Sequence, residues 1–346
     1  MVFNIFAFET SCDETSAAVL MDNVVVSNVV SSQLFHTEYG GIVPELASRA
    51  HISIIHRISL SALKDAGISV KDIDIVCATQ GPGLIGSLLV GYNYAKAFAI
   101  AGNKRFLGIN HIESHLYSCF IGKEEIEFPF IALIVSGGHT ILFLVKNYFD
   151  YKILGETQDD AAGEAFDKGA KMLGLGYPGG PLIDKLASEG DEKFHHFPVS
   201  NVKENIYDFS FSGIKTSLLY YLRNNYPMYK AEKSTEGIPV NNIAASYQKA
   251  VIDSLVEKTI LAAKNHNIKI IAISGGVSAN SKLRSEFLKY ENKGIKVAFP
   301  EKKYSTDNAA MIGYTAYLKC KYGRLTDVAF ENYLYDSAFP RFNYDI

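Results

Sequence analysis

At 346 residues, 48% of them hydrophobic, the chain is longer than one ordinary domain and long enough to bury two cores. Its 34 Lys and Arg against 37 Asp and Glu give a formal charge of -3, which excludes the strongly basic balance of a protein that grips nucleic acid unaided. The four cysteines, Cys12, Cys77, Cys119 and Cys320, are too dispersed for a Cys-x-x-Cys pair and too few for a disulfide framework, so a reducing compartment is expected.

The first residues, Met-Val-Phe-Asn-Ile-Phe-Ala-Phe, lack a basic leader and stop at Glu9. They read as a strand over 2–8, not as a signal peptide. Strands over 17–20 and 24–29 continue a meander, Pro44–Ala66 reads as an amphipathic helix opening on proline, and 73–78 as a buried strand before a helix over 87–101. The longest apolar stretch, 84–102, contains Ser87, Asn93 and Lys96, which would be costly in lipid, so a cytoplasmic protein with no membrane contact is expected. After Pro129 the order restarts: strands over 130–135, 140–145 and 151–156, a helix over 161–173, a long helix over 242–266, a strand over 269–273 and helices over 279–290 and 308–322.

The halves echo one another. Each opens with a strand that enters a polar turn and leaves as a second strand: Phe8-Glu9-Thr10-Ser11-Cys12-Asp13-Glu14-Thr15, then Val135-Ser136-Gly137-Gly138-His139-Thr140. A third turn, Ser274-Gly275-Gly276-Val277-Ser278-Ala279-Asn280, opens a helix, where free amides and the helix dipole favour an anion. One Gly-Gly turn alone proves little, because tight turns use glycine for backbone reasons. Two of them with a mirrored hairpin point to phosphate.

Within Asp159-Asp160-Ala161-Ala162-Gly163-Glu164-Ala165-Phe166-Asp167-Lys168-Gly169 and the following Tyr177-Pro178-Gly179-Gly180-Pro181-Leu182-Ile183-Asp184, the carboxylates suit either ribose hydroxyls or a solvated helix face with a cap at Asp184. In His111-Ile112-Glu113-Ser114-His115 the histidines are four apart, so on a helix they share a face and can meet one ion. The candidate third ligand is Asp307 in Ser305-Thr306-Asp307-Asn308-Ala309-Ala310, a position that equally suits an N-cap.

Together with Gln80-Gly81-Pro82-Gly83 and Ser210-Phe211-Ser212-Gly213-Ile214-Lys215-Thr216, these strings resemble the TsaD family of tRNA-modifying enzymes in sequence and order. The resemblance runs nearly end to end and is weakest over 220–239 and the last twenty or so residues. It departs at Ser114, where the family usually carries Gly or Ala; that side chain is expected to point away from the ion and to be tolerated. The resemblance implies an α/β, actin-like (ASKHA) ATPase fold with two duplicated domains around a nucleotide cleft, residues 1–128 with 309–346 and residues 129–308. It implies transfer of a threonylcarbamoyl group from threonylcarbamoyl-AMP to the exocyclic amine of the adenosine beside the anticodon, in tRNAs reading codons that begin with A.

By the same resemblance, His111, His115 and Asp307 hold one divalent ion, iron or zinc. Ile134, Val135, Ser136, Gly137, Gly138, Asp167, Gly180, Asp184 and Asn280 hold the substrate, with ATP or ADP binding in the same cleft. Helix Pro44–Ala66, with Glu45, Arg49 and His51, resembles the face for a TsaB-like partner, a pattern that a plain amphipathic core helix fits equally; a TsaE-like partner and a TsaC-like enzyme supplying the adenylate complete the set. No general base stands out. An actin-fold ATPase or small-molecule kinase remains the alternative, distinguished by the histidine pair that phosphoryl transfer on this fold does not need. A metalloprotease is disfavoured because Glu113 sits two residues after His111, rotated roughly 200° around the helix.

Overall fold

A computed structural model describes residues 3–123, 125–199, 202, 204–226, 237–323, 325 and 327–341, the last stretch by backbone alone at 327–329. Position 2 of the expected first strand and part of 220–239 lie outside these residues. The chain divides into two compact units, Met1–Ile126 with Thr306–Ile346, and Glu127–Ser305.

In the first unit, β1 (Asn4–Glu9), β2 (Glu14–Met21) and β3 (Val24–Ser32) form the expected meander, and β4 (Ile75–Gly81) and β5 (Arg105–Asn110) add to it in parallel. The sheet order is β3-β2-β1-β4-β5. Its central strands are apolar on both faces because both are covered. Phe6, Phe8, Ala17 and Val19 pack with Ile55, Ala62, Tyr92 and Ala95 of α1 (Pro44–Ala66) and α2 (Ile85–Gly102). On the other face Ala7 and Leu20 meet α9 (Ala309–Tyr322), where a Cβ on Gly313 would fall 2.2 Å from Leu20 and 3.1 Å from Ala7. Helix α1 spans the expected range, with proline at its start and Gly67 at φ 67° ending it.

The second unit repeats the plan with β6 (Phe130–Val135), β7 (Thr140–Asn147), β8 (Asp150–Glu156), β9 (Ile270–Ser274) and β10 (Lys296–Ala298). Its order, β10-β9-β6-β7-β8, is the first sheet read from the other edge, with antiparallel β6-β7-β8 and parallel β6-β9-β10. Its core joins the sheet to α4 (Ala162–Met172), α6 (Ser212–Asn225) and the long α7 (Val240–Asn265). Strands β5 and β10, helix α6, α5 (Gly179–Ala187) and α10 (Asp327–Tyr335) were not expected from periodicity, whereas α8 (Ser281–Leu288) was. Gly179-Gly180-Pro181 reads as a turn, yet glycine and proline are tolerated in a first helical turn whose N–H groups lack partners anyway. No helix of the described residues is long and apolar enough to cross a membrane.

Candidate metal centre and glycine-rich turns

Strand β5 runs directly into α3 (His111–Ser118), whose N-cap Asn110 accepts from the Glu113 amide at 3.0 Å. Both histidine rings are buried, 4.8 Å apart between centroids and nearly perpendicular. Asp307 joins them from the far end of the chain. Its oxygen Oδ1 lies 3.1 Å from His115 Nε2 and 3.6 Å from His111 Nε2. The start of α9 is anchored on the meander, Ala309 N donating to Ser16 Oγ at 2.9 Å and Ala310 N to Asn28 Oδ1 at 3.2 Å. The N-cap of α9 is Asn308, which accepts from Met311 N, so Asp307 is not the cap its position suggested.

One ligand atom from each of His111, His115 and Asp307 falls within 4.8 Å of the others. An ion with ligands at about 2.1 Å in tetrahedral array separates them by roughly 3.4 Å, and the observed spacings bracket that value. Two imidazoles and one carboxylate suit zinc or ferrous iron. Among the described residues, buried His115 Nδ1 has no hydrogen-bond partner.

Behind His111 lies a residue that sequence reasoning left without a role. Glu9, fully buried at the end of β1, places Oε2 3.1 Å from His111 Nδ1 and also receives the Thr79 hydroxyl there, while its Oε1 accepts from Ser11 N. Burial opposes ionisation of both partners, but Asp307 and Glu9 together lift His111 to about 9, and His111 holds Glu9 below the usual carboxylate range. Burial also raises Glu14, with Asp307 and Asp13 adding to it.

Glu113 points at α9, its Oε2 2.8 Å from Lys319 Nζ, as its helical position required, and the protease geometry is absent. Ser114 is buried and donates back to Asn110 O at 2.9 Å, which accommodates its hydroxyl. His51 is corrected: it is buried, 2.8 Å from Thr15 Oγ1 and 3.0 Å from Cys12 O, so it cannot face a partner. Glu45 and Arg49 are exposed and paired at 2.9 Å.

In the second unit, Ile134 and Val135 are buried strand residues, so only their backbone can reach a ligand. The turn between β6 and β7 is closed by Ser136 N donating to His139 O at 2.8 Å, which removes the Ser136 amide from the expected phosphate donors. Its glycines divide into two kinds. A Cβ at Gly163, Gly179 or Gly275 would strike backbone at 2.5, 2.7 and 2.3 Å, and Gly275 also needs φ +88°. At Gly137, Gly138, Gly180 and Gly276 a Cβ would meet nothing within 4 Å and no left-handed φ is imposed. Neither packing nor backbone conformation demands glycine at those four positions.

Asp167 Oδ1 accepts from Gly179 N at 2.7 Å, fixing the start of α5. Asp184 lies inside α5 rather than at its end, and its carboxylate caps α8, accepting from Ser281 N at 2.9 Å and Ser281 Oγ at 2.8 Å. Asn280 caps the same helix through Leu283 N and donates to Gln248 at 2.7 Å, leaving one N–H and one lone pair. The Ser210–Thr216 string is explained by capping at a distance. Asp159 accepts from the Phe211 and Ser212 amides and the Ser210 and Ser212 hydroxyls at the start of α6, while Asp160 bridges Lys168 and Lys215 at 2.6 and 2.7 Å.

These two carboxylates give a pH prediction. Burial raises both, but hydrogen bonds to Asp159 and the two lysines beside Asp160 outweigh it, so both sit below the usual value. A folded-state value below the unfolded value of about 3.9 means stability is complete above that pH and falls as acid protonates the pair. Thermal melts in steps down to about pH 3 should show an acid limb that is shallower in Asp159→Asn/Asp160→Asn than in wild type. Equal slopes would remove the pair from acid stability.

Two mixed sheets of matching order, a candidate His-His-carboxylate ion site and glycine turns opening helices define an actin-like α/β protein. The sequence profile of the TsaD family, tRNA N6-adenosine threonylcarbamoyltransferase, matches residues 24–314, and the chain belongs to that family. Enzymes of that name from Clostridium perfringens and Clostridium botulinum are each 48% identical to it over 328 residues, covering 94% of this chain and 95% of theirs. It is therefore a transferase that modifies tRNA. Solved structures share the fold alone. HypF from T. kodakarensis matches with TM-score 0.61 at 15% identity, over 95% of this chain and 49% of that one. Component A of the Acidaminococcus fermentans (R)-2-hydroxyglutaryl-CoA dehydratase matches with TM-score 0.53 at 14% identity, over 92% and 99%.

Proposed function

We propose that the chain transfers threonylcarbamoyl from threonylcarbamoyl-AMP to the exocyclic amine of the adenosine beside the anticodon, in tRNAs reading codons that begin with A, with one iron or zinc ion on His111, His115 and Asp307. The observation that carries this reading is the cluster of two buried histidines and the partly exposed Asp307, which an ATPase or kinase on the same fold does not need. The amine is a weak nucleophile because its lone pair is delocalised into the ring, so the acyl donor must be activated. When bound, the ion supplies Lewis-acid polarisation of a carbonyl or phosphoryl oxygen.

The chain's own residues bind and orient. Backbone at Ile134 and Val135 and the open turns at Gly137, Gly138 and Gly276 let phosphate approach the main chain beside Ser136, whose own amide is spent on His139, and preorganised amides of those glycines contribute about 3 kcal/mol each to transition-state stabilisation. Asp167, Gly180 and Asp184 line the ribose side, and Asn280 shapes the wall. We assign no general base. ATP or ADP occupies the same turns, and the protein works in the cytoplasm. An anticodon loop already presents unstacked bases, which lowers the cost of extruding the acceptor.

A net charge of -3 and exposed apolar residues on α1 and α2, namely Ile52, Leu60, Ile85 and Leu89, support a requirement for a TsaB-like partner, with TsaE-like and TsaC-like proteins completing the system. Nucleosides from tRNA incubated with this protein, threonine, bicarbonate, ATP and those partners are expected to contain threonylcarbamoyladenosine by mass analysis. The chain alone with threonylcarbamoyl-AMP is expected to transfer poorly. ATP hydrolysis with unmodified tRNA in the full mixture would favour the ATPase reading, and full turnover by the chain alone would remove the partner requirement.

A further inference from the structure

We propose that Glu9 is a positioning residue for the ion site, fixing the His111 proton on Nδ1 and so directing the Nε2 lone pair toward the space shared with His115 and Asp307. The inference rests on the reading of those three residues as ion ligands. Glu9 has no exposed surface, and both of its oxygens are engaged: Oε1 by the Ser11 amide on the turn that follows β1, Oε2 by the Thr79 hydroxyl of neighbouring β4 and by His111 Nδ1 at 3.1 Å. Held from two elements, the carboxylate cannot rotate away. As an acceptor only, it requires Nδ1 to donate.

The second nitrogen of His111 then faces Asp307 Oδ1, 3.6 Å away. His115 has no such support, since its buried Nδ1 lacks a partner among the described residues. Preorganisation of the site therefore falls on His111, through a carboxylate-histidine-ion arrangement whose outer member commonly sets affinity.

Glutamine at position 9 offers one acceptor oxygen where the carboxylate met three donors, Ser11 N–H, His111 Nδ1–H and the Thr79 hydroxyl, which alone can turn to accept instead. The backbone donor cannot change, so His111 is driven to the tautomer that carries its proton on Nε2, where the ion should bind. Aspartate keeps two acceptor oxygens but leaves a methylene-sized void. A positioning role therefore orders ion affinity as wild type, Glu9→Asp, Glu9→Gln, whereas a packing role reverses the two variants.

Titrating the full-length, metal-stripped protein with Co2+ and following the visible absorption of the bound ion should show affinity reduced roughly 10- to 100-fold in Glu9→Gln, with Glu9→Asp between it and wild type. Wild-type affinity in Glu9→Gln, or Glu9→Gln binding at least as tightly as Glu9→Asp, overturns the proposal. If both variants fail to fold, the imidazole 15N spectrum of Zn2+-loaded wild type decides: His111 is expected to carry its proton on Nδ1 and bind through Nε2, and the opposite assignment overturns the role. Wild-type protein that binds neither Co2+ nor Zn2+ removes the ion reading itself and Glu9's role with it, an outcome distinct from unchanged affinity in the variant.

Discussion

Alanine at His111, His115 or Asp307 is expected to strip the ion and abolish threonylcarbamoyl transfer in each case, with ion affinity reduced at least about 100-fold because two donors seldom hold a catalytic ion. The stability costs should differ sharply, and the structure says why. Asp307 is not the cap of α9, so its removal costs no helix cap and only its contacts to the two imidazoles, whereas Asn308→Ala should lose about 1 kcal/mol and keep its ion. His111→Ala carries a second penalty. It leaves Glu9 buried with its ion-pair partner gone, a situation that costs about 3–5 kcal/mol in other proteins. Metal content by mass spectrometry beside a thermal melt reads both quantities. Should the double variant His111→Ala/His115→Ala modify tRNA at the wild-type rate without metal, the proposed chemistry is wrong.

The glycines of the second unit should separate fold from function just as clearly. Gly163→Ala and Gly275→Ala place a Cβ 2.5 Å from Ser136 O and 2.3 Å from Val135 O, against backbone that cannot swing aside. Both are expected to cost several kcal/mol, and Gly275 adds the strain of a left-handed φ. The Cβ of Gly138→Val or Gly276→Val meets no protein atom within 4 Å, so their melting temperatures should stay within a few degrees of wild type. Yet each puts a branched side chain on the main chain proposed to receive the phosphate, and affinity for threonylcarbamoyl-AMP should drop at least about tenfold, or about 1.4 kcal/mol. Calorimetric titration beside melting measures both. Undiminished binding in Gly138→Val and Gly276→Val would move the adenylate away from these turns.

Much of this was legible in the amino-acid order. Alternation and apolar runs marked the strands of both meanders, and the period of α1 with its opening proline gave that helix its range. Spacing of four placed His111 and His115 on one face, and the same helical geometry turned Glu113 away from them toward Lys319. These are short-range properties, set by backbone periodicity within a few residues. The same reasoning faltered where local signals conflict. Gly179-Gly180-Pro181 reads as a turn but opens α5, and His51, placed by resemblance on a partner-facing helix surface, is buried against Thr15 and the Cys12 carbonyl.

What only the tertiary structure decided are contacts between residues far apart in the chain. Asp307 reaches His115 across 192 positions because α9 is pinned to Ser16 and Asn28 of the meander. Glu9 finds His111 because β1, β4 and β5 lie side by side, bringing the end of one strand to the helix that follows another. Gly276 and Gly275 are the same residue type in the same turn, yet one faces open space and the other the Val135 carbonyl. Such distinctions depend on which surfaces meet within each unit once its sheet is formed, and chain order carries no local pattern for them.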